Sequence, residues 1–580
     1  MSGAAHTGYN LVAKLALPGV LSNTLGVGDG SAHTAALVRV GAILDPILTT
    51  GVIDVTLSRL ADLFHDCRPA AASYLQKTET HVTLNQISDA AERTRNPAVD
   101  AFLTDSSKKL FIGGEWVPAD SGDVLDVVDP TTEDVIARVA AAGTVDVDRA
   151  VTAARAAFET GPWSLLGPLD RAKILRRWAD LIDTHREELA HLESLNNGMT
   201  LATAVASITD AAETVRFFAG GAEHIHGDTP QTDPGSFNYT LRDPIGVCGA
   251  IIPWNSPVTN FVWKSSPILA AGNVLIIKPA ETTPLTAVRL GELLAEAGLP
   301  GGVLNVITGL GHPAGSAISE HPGIDKIAFT GSTPTGRRIL AASVSNLKRV
   351  SLELGGKSPN IVFDDADLDA AVTASLIGFV SITGQVCLAG TRLFVQRGIH
   401  DRFVEAMVKQ VSALTVGDPL DPNSSVGPLA SRQQLEKVSS YLALGKDEGA
   451  VAAVGGNASG GKGFFVEPTV FIGVNNDMRI AREEIFGPVL AVIPFDDEEE
   501  AIRLANDTEY GLAAAVWTRD LRRAHTVARR IKAGTVWVND YFKLDPRMPF
   551  GGFKQSGIGR DFGLDWYHSC TEPKSVFVTL

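Results

Sequence analysis

Short apolar runs alternate with amphipathic segments between residues 247 and 343 of the chain. The runs predict buried strands at Val247–Ile252, Val274–Ile277, Leu304–Ile307 and Ile324–Phe329. Helical periodicity predicts helices after the last three strands, at Leu285–Glu296, Pro313–Glu320 and Pro334–Ser343. Buried strands that alternate with helices predict an α/β fold with a parallel, doubly wound sheet. Ligands bind beyond the carboxyl ends of such strands, so the residues after each strand are candidate site residues.

The regions on either side continue the α/β pattern. Alternation over Leu110–Val117 predicts a hairpin, and Gly235–Arg242 is expected to form an extended excursion. After Gly355, strands are predicted at Asn360–Phe363, Arg392–Val395, Val489–Ile493 and Thr535–Val538. The acidic run Asp496–Glu500 is interpreted as the opening of a helix over Ala501–Ala505, because carboxylates suit the positive end of a helix.

Residues 1–107 differ from the rest of the chain in composition. They are rich in Gly, Ala, Ser and Thr, and they contain no cluster of acids, bases or nucleophiles. Apolar spacing predicts two helices around Pro46–Gly51 and a third at Asn85–Thr94. We expect a mostly helical extension that is dispensable for chemistry, so that residues 108–580 alone retain activity, or else an over-long assignment of the start.

Composition narrows the functional classes. The chain of 580 residues is 45% hydrophobic and 20% charged with a net charge of −16, which fits a globular protein and argues against nucleic-acid or anionic-membrane partners. Pro244–Trp263 and Ala370–Thr391 carry no charge, but their prolines, glycines and polar residues favour a buried core over a membrane span. Four cysteines without a CxxC pair or a Cys/His cluster predict neither a disulfide framework nor a metal site. The N-terminal residues match a signal peptide poorly, which favours a cytoplasmic location.

Two residues stand out as candidates for chemistry. Cys387 lies in Gly384-Gln-Val-Cys387, although a lone cysteine among apolar residues is more often buried and inert. Glu353 interrupts an apolar stretch, and a buried carboxylate with a raised pKa can act as a general base, whereas a paired or outward-facing Glu is the alternative. Gly355-Gly-Lys-Ser358 is rejected as a phosphate loop because Ser351 stands where its first glycine belongs, and Gly309, Gly311 and Gly315 have the wrong spacing for a dinucleotide fingerprint.

Seven motifs taken together carry more weight than any one of them. In chain order they are Pro253-Trp-Asn255, Lys278-Pro-Ala-Glu281, Phe329-Thr-Gly-Ser332, Leu352-Glu-Leu-Gly-Gly-Lys357, Gly384-Gln-Val-Cys387, Glu484-Ile-Phe-Gly-Pro488 and Pro549-Phe-Gly-Gly-Phe-Lys-Gln-Ser-Gly557. This series closely resembles the NAD(P)-dependent aldehyde dehydrogenase superfamily from about Lys108 to Leu580. The resemblance implies that family's fold, with a Rossmann-like cofactor domain, an α/β catalytic domain and a β oligomerisation arm.

The resemblance also implies catalytic roles. Cys387 is the expected nucleophile, and the Asn255 amide with the Cys387 backbone N–H is the expected oxyanion hole. Glu353 is expected to activate the water that releases the acid, and Lys264 is expected near the catalytic site.

A second set of residues is expected to bind the cofactor. Lys278 and Glu281 are assigned to the adenosine ribose, Gly331 and Ser332 to the pyrophosphate at a helix N-terminus, and Glu484 and Phe486 to the nicotinamide side. The same set includes Ile251, Pro253, Trp254, Gly311, Gly315, Phe329 and Leu354. A 2′-phosphate would meet the Glu281 carboxylate, so we expect NAD rather than NADP.

The family pattern suggests a division of the chain. Residues 108–225 and 245–355 are expected to form the NAD-binding domain, and 356–570 the catalytic domain. Residues 226–244 and 571–580 are expected to form an arm that pairs subunits into a homodimer or homotetramer.

The sequence says less about the substrate and the exact reaction than about the family. Phe261, Trp263, Val386, Leu388 and Phe550 are expected to line an apolar tunnel, which favours a small hydrophobic or arylalkyl aldehyde of the phenylacetaldehyde type. Ile382-Thr383 replaces the Asn that many family members have before the Gly-Gln of the cysteine motif, and Gly390-Thr-Arg392 replaces Gly-Ser-Arg. A CoA-acylating relative and a non-catalytic binding protein on the same fold stay open as alternatives, although Asn255, Glu353 and Cys387 together argue against both.

Overall fold

A computed structural model describes residues 83–84, 96–105, 107–564 and 566–580. The three helices predicted before residue 95 lie outside these residues. Among the described helices, none combines the length and the apolar character that crossing a membrane requires.

The largest sheet has eight strands. From edge to edge they are Gly557–Ile558, Arg349–Glu353, Lys326–Thr330, Val247–Ile251, Val274–Lys278, Leu304–Val306, Leu110–Ile112 and Glu115–Val117. The middle five are parallel, and the outer pairings are antiparallel. The predicted parallel sheet and the hairpin over Leu110–Val117 are confirmed. In this order the carboxyl ends of four neighbouring strands reach one edge, where Asn255, Glu281, Ser332 and Glu353 follow or end a strand.

Helices cover this sheet. Their bounds are Thr144–Glu159, Pro168–Thr184, Arg186–Asn197, Leu201–Gly221, Pro257–Ala270, Leu285–Glu296, Ser316–Glu320 and Thr333–Ala342. The predicted helix Pro313–Glu320 is only partly right, because the α-helix begins at Ser316, after a turn over Gly311–Gly315 in which His312 has an extended backbone. The expected strand Ile324–Phe329 begins two residues later, at Lys326.

A second sheet of seven strands follows Gly355. Its strands, in order, are Val451–Val454, Thr469–Ile472, Val489–Phe495, Arg392–Gln396, Pro359–Val362, Ala513–Trp517 and Thr535–Val538. All pairings are parallel except that of the first two strands. Its helices are Leu368–Val380, His400–Ser412, Arg432–Asp447, Arg479–Arg482, Glu498–Asn506 and Leu521–Arg530. The acidic run does open a helix, since the Asp497 side chain accepts the Glu500 N–H.

Smaller elements complete the fold. A three-stranded sheet contains Ser107–Lys108, Val135–Ala140 and Val124–Val128. Two-residue strands pair Thr83–Leu84 with Thr415–Val416, and Pro549–Phe550 with Asp561–Phe562. Ser236–Pro244 and Thr571–Thr579 pair along their whole length as an antiparallel ribbon.

The helix Pro97–Thr104 lies within the region that the sequence assigned to the extension. It buries Val99 and Leu103 in a cluster with Leu192 and Leu195. Deleting residues 1–107 would therefore remove packed apolar surface, so a truncation that tests whether the extension is dispensable should begin at Asn96.

Candidate active site

One cavity of about 890 Å³ opens beyond the carboxyl ends of the eight-stranded sheet. The predicted site residues that line it are Pro253, Trp254, Asn255, Gly331, Ser332, Glu353, Leu354, Cys387, Glu484 and Phe486. They come from both α/β regions of the chain. The structure therefore brings the three residues assigned to the chemistry into one space with much of the predicted cofactor set.

Cys387 follows a strained turn. Ile382 and Thr383 have φ angles of 49° and 55°, and left-handed backbone costs a β-branched residue roughly 1–2 kcal/mol. Thr383 offsets part of this cost by donating its hydroxyl to the Gly427 carbonyl at 3.0 Å. These are the positions at which the sequence departs from the usual family pattern, and Asn, the residue common there, tolerates such φ values better.

The thiol of Cys387 is neutral in the free protein. Burial raises its pKa to about 12, and the negative charges of Glu484 and Glu353 act in the same direction. The backbone N–H groups of Cys387 and Leu388 oppose the rise. Attack on an electrophile at neutral pH therefore requires a group that takes the thiol proton.

Glu353 ends the strand Arg349–Glu353 and is buried. Its Oε2 makes no hydrogen bond to any described residue. Burial raises the pKa of this carboxyl well above 4.5, and Asp561 raises it further, while the charges of Lys264 and Arg560 lower it. A carboxyl with a raised pKa and an unused oxygen is suited to take up and release protons near neutrality.

Asn255 follows the strand Val247–Ile251 and is also buried. Its side-chain Nδ2 donates to the Gln385 backbone carbonyl at 2.8 Å, which ties it to the segment before Cys387. A primary amide has two N–H bonds, so this contact leaves one for a ligand.

Two glycines let the segment that follows Glu353 closely approach Glu484 and Cys387. A Cβ on Gly355 would lie 2.4 Å from Glu484 Oε2, and a Cβ on Gly356 would lie 2.4 Å from the Cys387 carbonyl oxygen. The Gly356 N–H also donates to Glu484 Oε1 at 2.9 Å. The Gly-Gly pair is thus a requirement of close packing.

Lys264 does not line the cavity. It is 2% exposed, and its Nζ lies 2.6 Å from Oδ2 of Asp561, which does line the cavity. Only Asp561 of this pair lines the cavity. The charges of both residues shift the pKa of Glu353. Sequence analysis missed Asp561, because nothing in its local sequence pointed to a partner almost three hundred residues earlier.

Part of the predicted cofactor set forms a group beside the cavity. Ile251 and Lys278 are direct neighbours in the sheet, and a Cβ on Gly315 would touch the Lys278 stem at 3.6 Å. Lys278 Nζ lies 3.5 Å from Glu281 Oε2, whose side chain is 45% exposed. Phe329 pairs with Ile251 in the sheet, and its ring lies against Gly331. Gly311 is apart from this group, with open space beside its Cα.

Gln434, a residue that sequence analysis missed, holds Phe486 at the predicted nicotinamide end of the site. The rings of Trp254 and Phe486 meet edge to face at 5.2 Å. Phe486 has a φ of 63°, and its carbonyl accepts a hydrogen bond from Gln434 Nε2 at 2.6 Å. Gln434 also lines the cavity.

An aromatic wall forms another part of the cavity. Trp263 packs edge to face against Phe562 at 4.5 Å and against Phe550 at 5.4 Å. Val386 and Leu388 line the same cavity as predicted, and Phe542 and Ile382 join them. The expectation for Phe261 is wrong: it is fully buried and packs on Trp178. Among the described residues, no group of three or more His, Cys, Asp or Glu side chains is placed to hold a metal ion.

Comparison with known proteins agrees with this geometry. Residues 116–576 match the aldehyde dehydrogenase family. An aldehyde dehydrogenase of Emericella nidulans is 48% identical over 472 residues, which are 81% of this chain and 95% of that protein. The NAD+ complex of an aldehyde dehydrogenase from Bacillus cereus superposes with a TM-score of 0.83 at 46% identity, over 84% of this chain and 99% of that one.

A third relative, the indole-3-acetaldehyde dehydrogenase of P. syringae, was solved as a mutant with NAD+ and IAA. It is 43% identical, has a TM-score of 0.81, and covers 83% of this chain and 99% of its own. The resemblance and the fold predicted from the motifs are confirmed. The chain belongs to the aldehyde dehydrogenase family.

Proposed function

We propose that the chain oxidises an aldehyde to the carboxylic acid with NAD, through a covalent bond to Cys387 and hydrolysis by a water that Glu353 activates. The observation that carries the proposal is the meeting of Cys387, Glu353 and Asn255 in one cavity with the predicted cofactor residues. The NAD+ complexes of the similar structures support the choice of cofactor.

In the first step the Cys387 sulfur attacks the aldehyde carbonyl carbon, and the thiol proton passes to Glu353. The free Oε2 and raised pKa of Glu353 suit it for this transfer. The carbonyl oxygen gains negative charge, which the remaining Asn255 N–H and the Cys387 backbone N–H stabilise. Each fixed donor contributes about 3 kcal/mol to lowering the barrier.

When bound, NAD would supply the hydride acceptor for this adduct, and loss of the hydride would leave a thioester on Cys387. The residues present fit such a group. Ser332 caps the ten-residue helix Thr333–Ala342 at the cavity, which suits a pyrophosphate. The Glu484 carboxylate and the Phe486 ring also line the cavity. The exposed Glu281 carboxylate beside Lys278 suits ribose hydroxyls and disfavours a 2′-phosphate.

Before the last step Glu353 gives up the thiol proton to solvent through the cavity that it lines. In the last step it takes a proton from water as the water oxygen attacks the thioester carbon. The carbon–sulfur bond breaks, the acid leaves, and the proton returns to the Cys387 sulfur. Asp561 raises the pKa of Glu353 and Lys264 lowers it, so this ion pair sets how readily the base takes up a proton.

The aromatic wall supports a hydrophobic or arylalkyl aldehyde. Trp263, Phe550 and Phe562 form an apolar surface beside the nucleophile, and flat rings bind such surfaces through edge and face contacts. The relative with indole-3-acetaldehyde in its name agrees with an arylalkyl substrate.

The ribbon of Ser236–Pro244 and Thr571–Thr579 supports a homodimer or homotetramer. It exposes apolar side chains, with Phe237 at 52% and Phe577 at 79%, and two strands alone leave unpaired backbone at their edges. We also propose that the chain is divided into a NAD-binding domain and a catalytic domain. A cytoplasmic location is part of the same proposal.

An NADH absorbance assay with acetaldehyde, hexanal, phenylacetaldehyde and betaine aldehyde tests the proposal. We expect turnover with NAD, best with the arylalkyl aldehyde, and none in Cys387→Ala. Activity that survives in Cys387→Ala would refute the covalent route. Turnover that requires added CoA would favour acyl transfer to CoA over hydrolysis.

A further inference from the structure

The last turn of the helix Arg186–Asn197 is polar yet buried. Glu193, Asn196 and Asn197 are each at most 1% exposed, and none of them lines the cavity. Buried polar side chains need hydrogen-bond partners. Most of the partners here are backbone groups of the two segments that follow the strands Val247–Ile251 and Val274–Lys278.

Asn197 holds the segment that carries Asn255. Its Nδ2 donates to the Trp254 carbonyl at 2.8 Å and to the Asn255 carbonyl at 3.1 Å. Its Oδ1 accepts the Met199 N–H at 3.1 Å. Both N–H bonds of the Asn197 amide are therefore used on the two residues whose position sets the Asn255 side chain.

Asn196 holds the neighbouring segment. Its Nδ2 donates to the Thr282 carbonyl at 3.0 Å, and its Oδ1 accepts the Leu285 N–H at 3.2 Å. Thr282 follows Glu281 directly in the chain. Two consecutive amides on one helical turn thus hold two different parts of the site.

Glu193 adds a third contact from the same turn. Its Oε1 accepts the Val258 N–H at 3.1 Å, at the start of the helix Pro257–Ala270 that follows Asn255. The segment of residues 254–258 is therefore held at both ends by the helix Arg186–Asn197.

We propose that Asn197 and Asn196 are positioning residues with separate tasks: Asn197 places the oxyanion donor Asn255, and Asn196 places the segment that binds the adenosine of the cofactor. The inference rests on the proposed function. Displacing a catalytic group by about 1 Å through a residue outside the site can slow chemistry about 100-fold. Loss of a cofactor contact weakens binding by about tenfold per hydrogen bond.

The test compares Asn197→Asp with Asn196→Asp. Each change keeps the size and one acceptor, but replaces the amide donor with an oxygen that repels the carbonyl it used to bind. The rate of NADH formation is measured in a single turnover with enzyme in excess over phenylacetaldehyde and NAD saturating. NAD affinity is measured separately, by calorimetry without aldehyde.

We expect the Asn197 variant to be defective mainly in the single-turnover rate, and the Asn196 variant mainly in NAD affinity. Asn197→Asp should slow the single turnover by about 10- to 100-fold and weaken NAD binding less than Asn196→Asp does, because the segment that Asn197 holds also carries Trp254 of the predicted cofactor set. Asn196→Asp should weaken NAD binding by about tenfold and leave the single-turnover rate at saturating NAD unchanged. Equal defects in both readouts from both variants, or no defect in either, would overturn the separate tasks.

A pH series separates positioning from general damage. An introduced buried carboxyl has a raised pKa and regains one donor when protonated. The single-turnover rate of Asn197→Asp, divided by that of the wild type at each pH, should therefore rise as pH falls. A ratio that does not change with pH would contradict the role of the donor.

If the aspartate variants do not fold, Asn197→Ala and Asn196→Ala remove the donors without adding charge, and the same division of effects is expected. Failure of the proposed function looks different. It would leave the wild type without NADH formation, or Cys387→Ala active, whatever the two asparagine variants do.

Discussion

Raising the pH should increase the reactivity of Cys387 steeply, because burial and two neighbouring carboxylates raise its pKa from the ordinary 9.0 to about 12. At pH 8 a thiol with that pKa is ionised in about one molecule in ten thousand, against about one in ten for an ordinary cysteine. Only the thiolate reacts with iodoacetamide. The rate of alkylation should therefore rise about tenfold per pH unit from pH 7 to pH 10 without levelling off.

The assay is alkylation of the free enzyme, followed by mass spectrometry of the peptide that contains Cys387. Peptide resolution is needed because Cys67, Cys248 and Cys570 are also present. Circular dichroism at each pH shows whether the protein is still folded. A rate that levels off below pH 9 would refute the reasoning, because it would mean that the site stabilises the thiolate despite its burial.

A matched pair of variants tests the cause. The Glu484 charge raises the pKa of the Cys387 thiol, so Glu484→Gln should speed alkylation at a fixed pH. The substitution keeps the acceptor for the Gly356 N–H. Glu483→Gln makes the same change one residue earlier, at a carboxylate paired with Arg479 on the surface, and it should leave the rate unchanged.

Three further outcomes follow from the site and its support. Glu353→Gln should form about one NADH per site, more slowly than the wild type because Glu353 no longer takes the thiol proton, and then stall with an acyl group on Cys387 by intact mass, with steady turnover at least ~100-fold slower; unchanged turnover would contradict its role as the base. Glu281→Ser should shift preference towards NADP, measured as the ratio of kcat/KM values, because a carboxylate no longer faces the 2′-phosphate; an unchanged ratio would argue against this placement. Burial raises the pKa of Glu193 to about 7 from 4.5, so this group stabilises the fold below about pH 4.5 and the stabilisation is lost as pH rises to about 7; Glu193→Gln should therefore gain stability over the wild type between pH 5 and pH 8, by up to about 3 kcal/mol, and a gap in melting temperature that does not grow with pH would contradict it.

The strands that carry the site could be predicted from sequence because a central parallel strand is buried on both faces. Val247–Ile251, Val274–Lys278 and Lys326–Thr330 are short and almost wholly apolar, so their positions and the residues after them are visible without a structure. The motif order then pointed to Cys387 and Glu353 as members of one site.

The residues that hold the site segments in place could not be predicted in this way. Asn196 and Asn197 read as ordinary polar residues at the end of a helix, and their burial is explained only by carbonyls more than fifty residues away. Asp561 is hidden for the same reason, since its partner Lys264 is on a distant helix. Hydrogen bonds between distant segments leave no periodic signal in the sequence.

The error at Phe261 has a geometric cause. Phe261 and Trp263 are both on the helix Pro257–Ala270, and two residues along an α-helix turn the side chain by about 200°. If Trp263 faces the cavity, Phe261 must face the opposite side, where it meets Trp178. Helical spacing alone would have excluded one of the two residues from the tunnel.

The Gly355-Gly356 pair shows how a short motif can create a site out of distant segments. The sequence offers it as a possible phosphate loop, and the spacing rejects that reading. In the structure each glycine faces a different segment: a Cβ on Gly355 would crowd the Glu484 carboxylate, and a Cβ on Gly356 would collide with the Cys387 carbonyl. Because Glu353 precedes the pair by two residues, one short stretch of chain carries Glu353 and closely approaches both Glu484 and Cys387. We therefore expect the proposed chemistry to depend on these two glycines as well as on Cys387, Glu353 and Asn255.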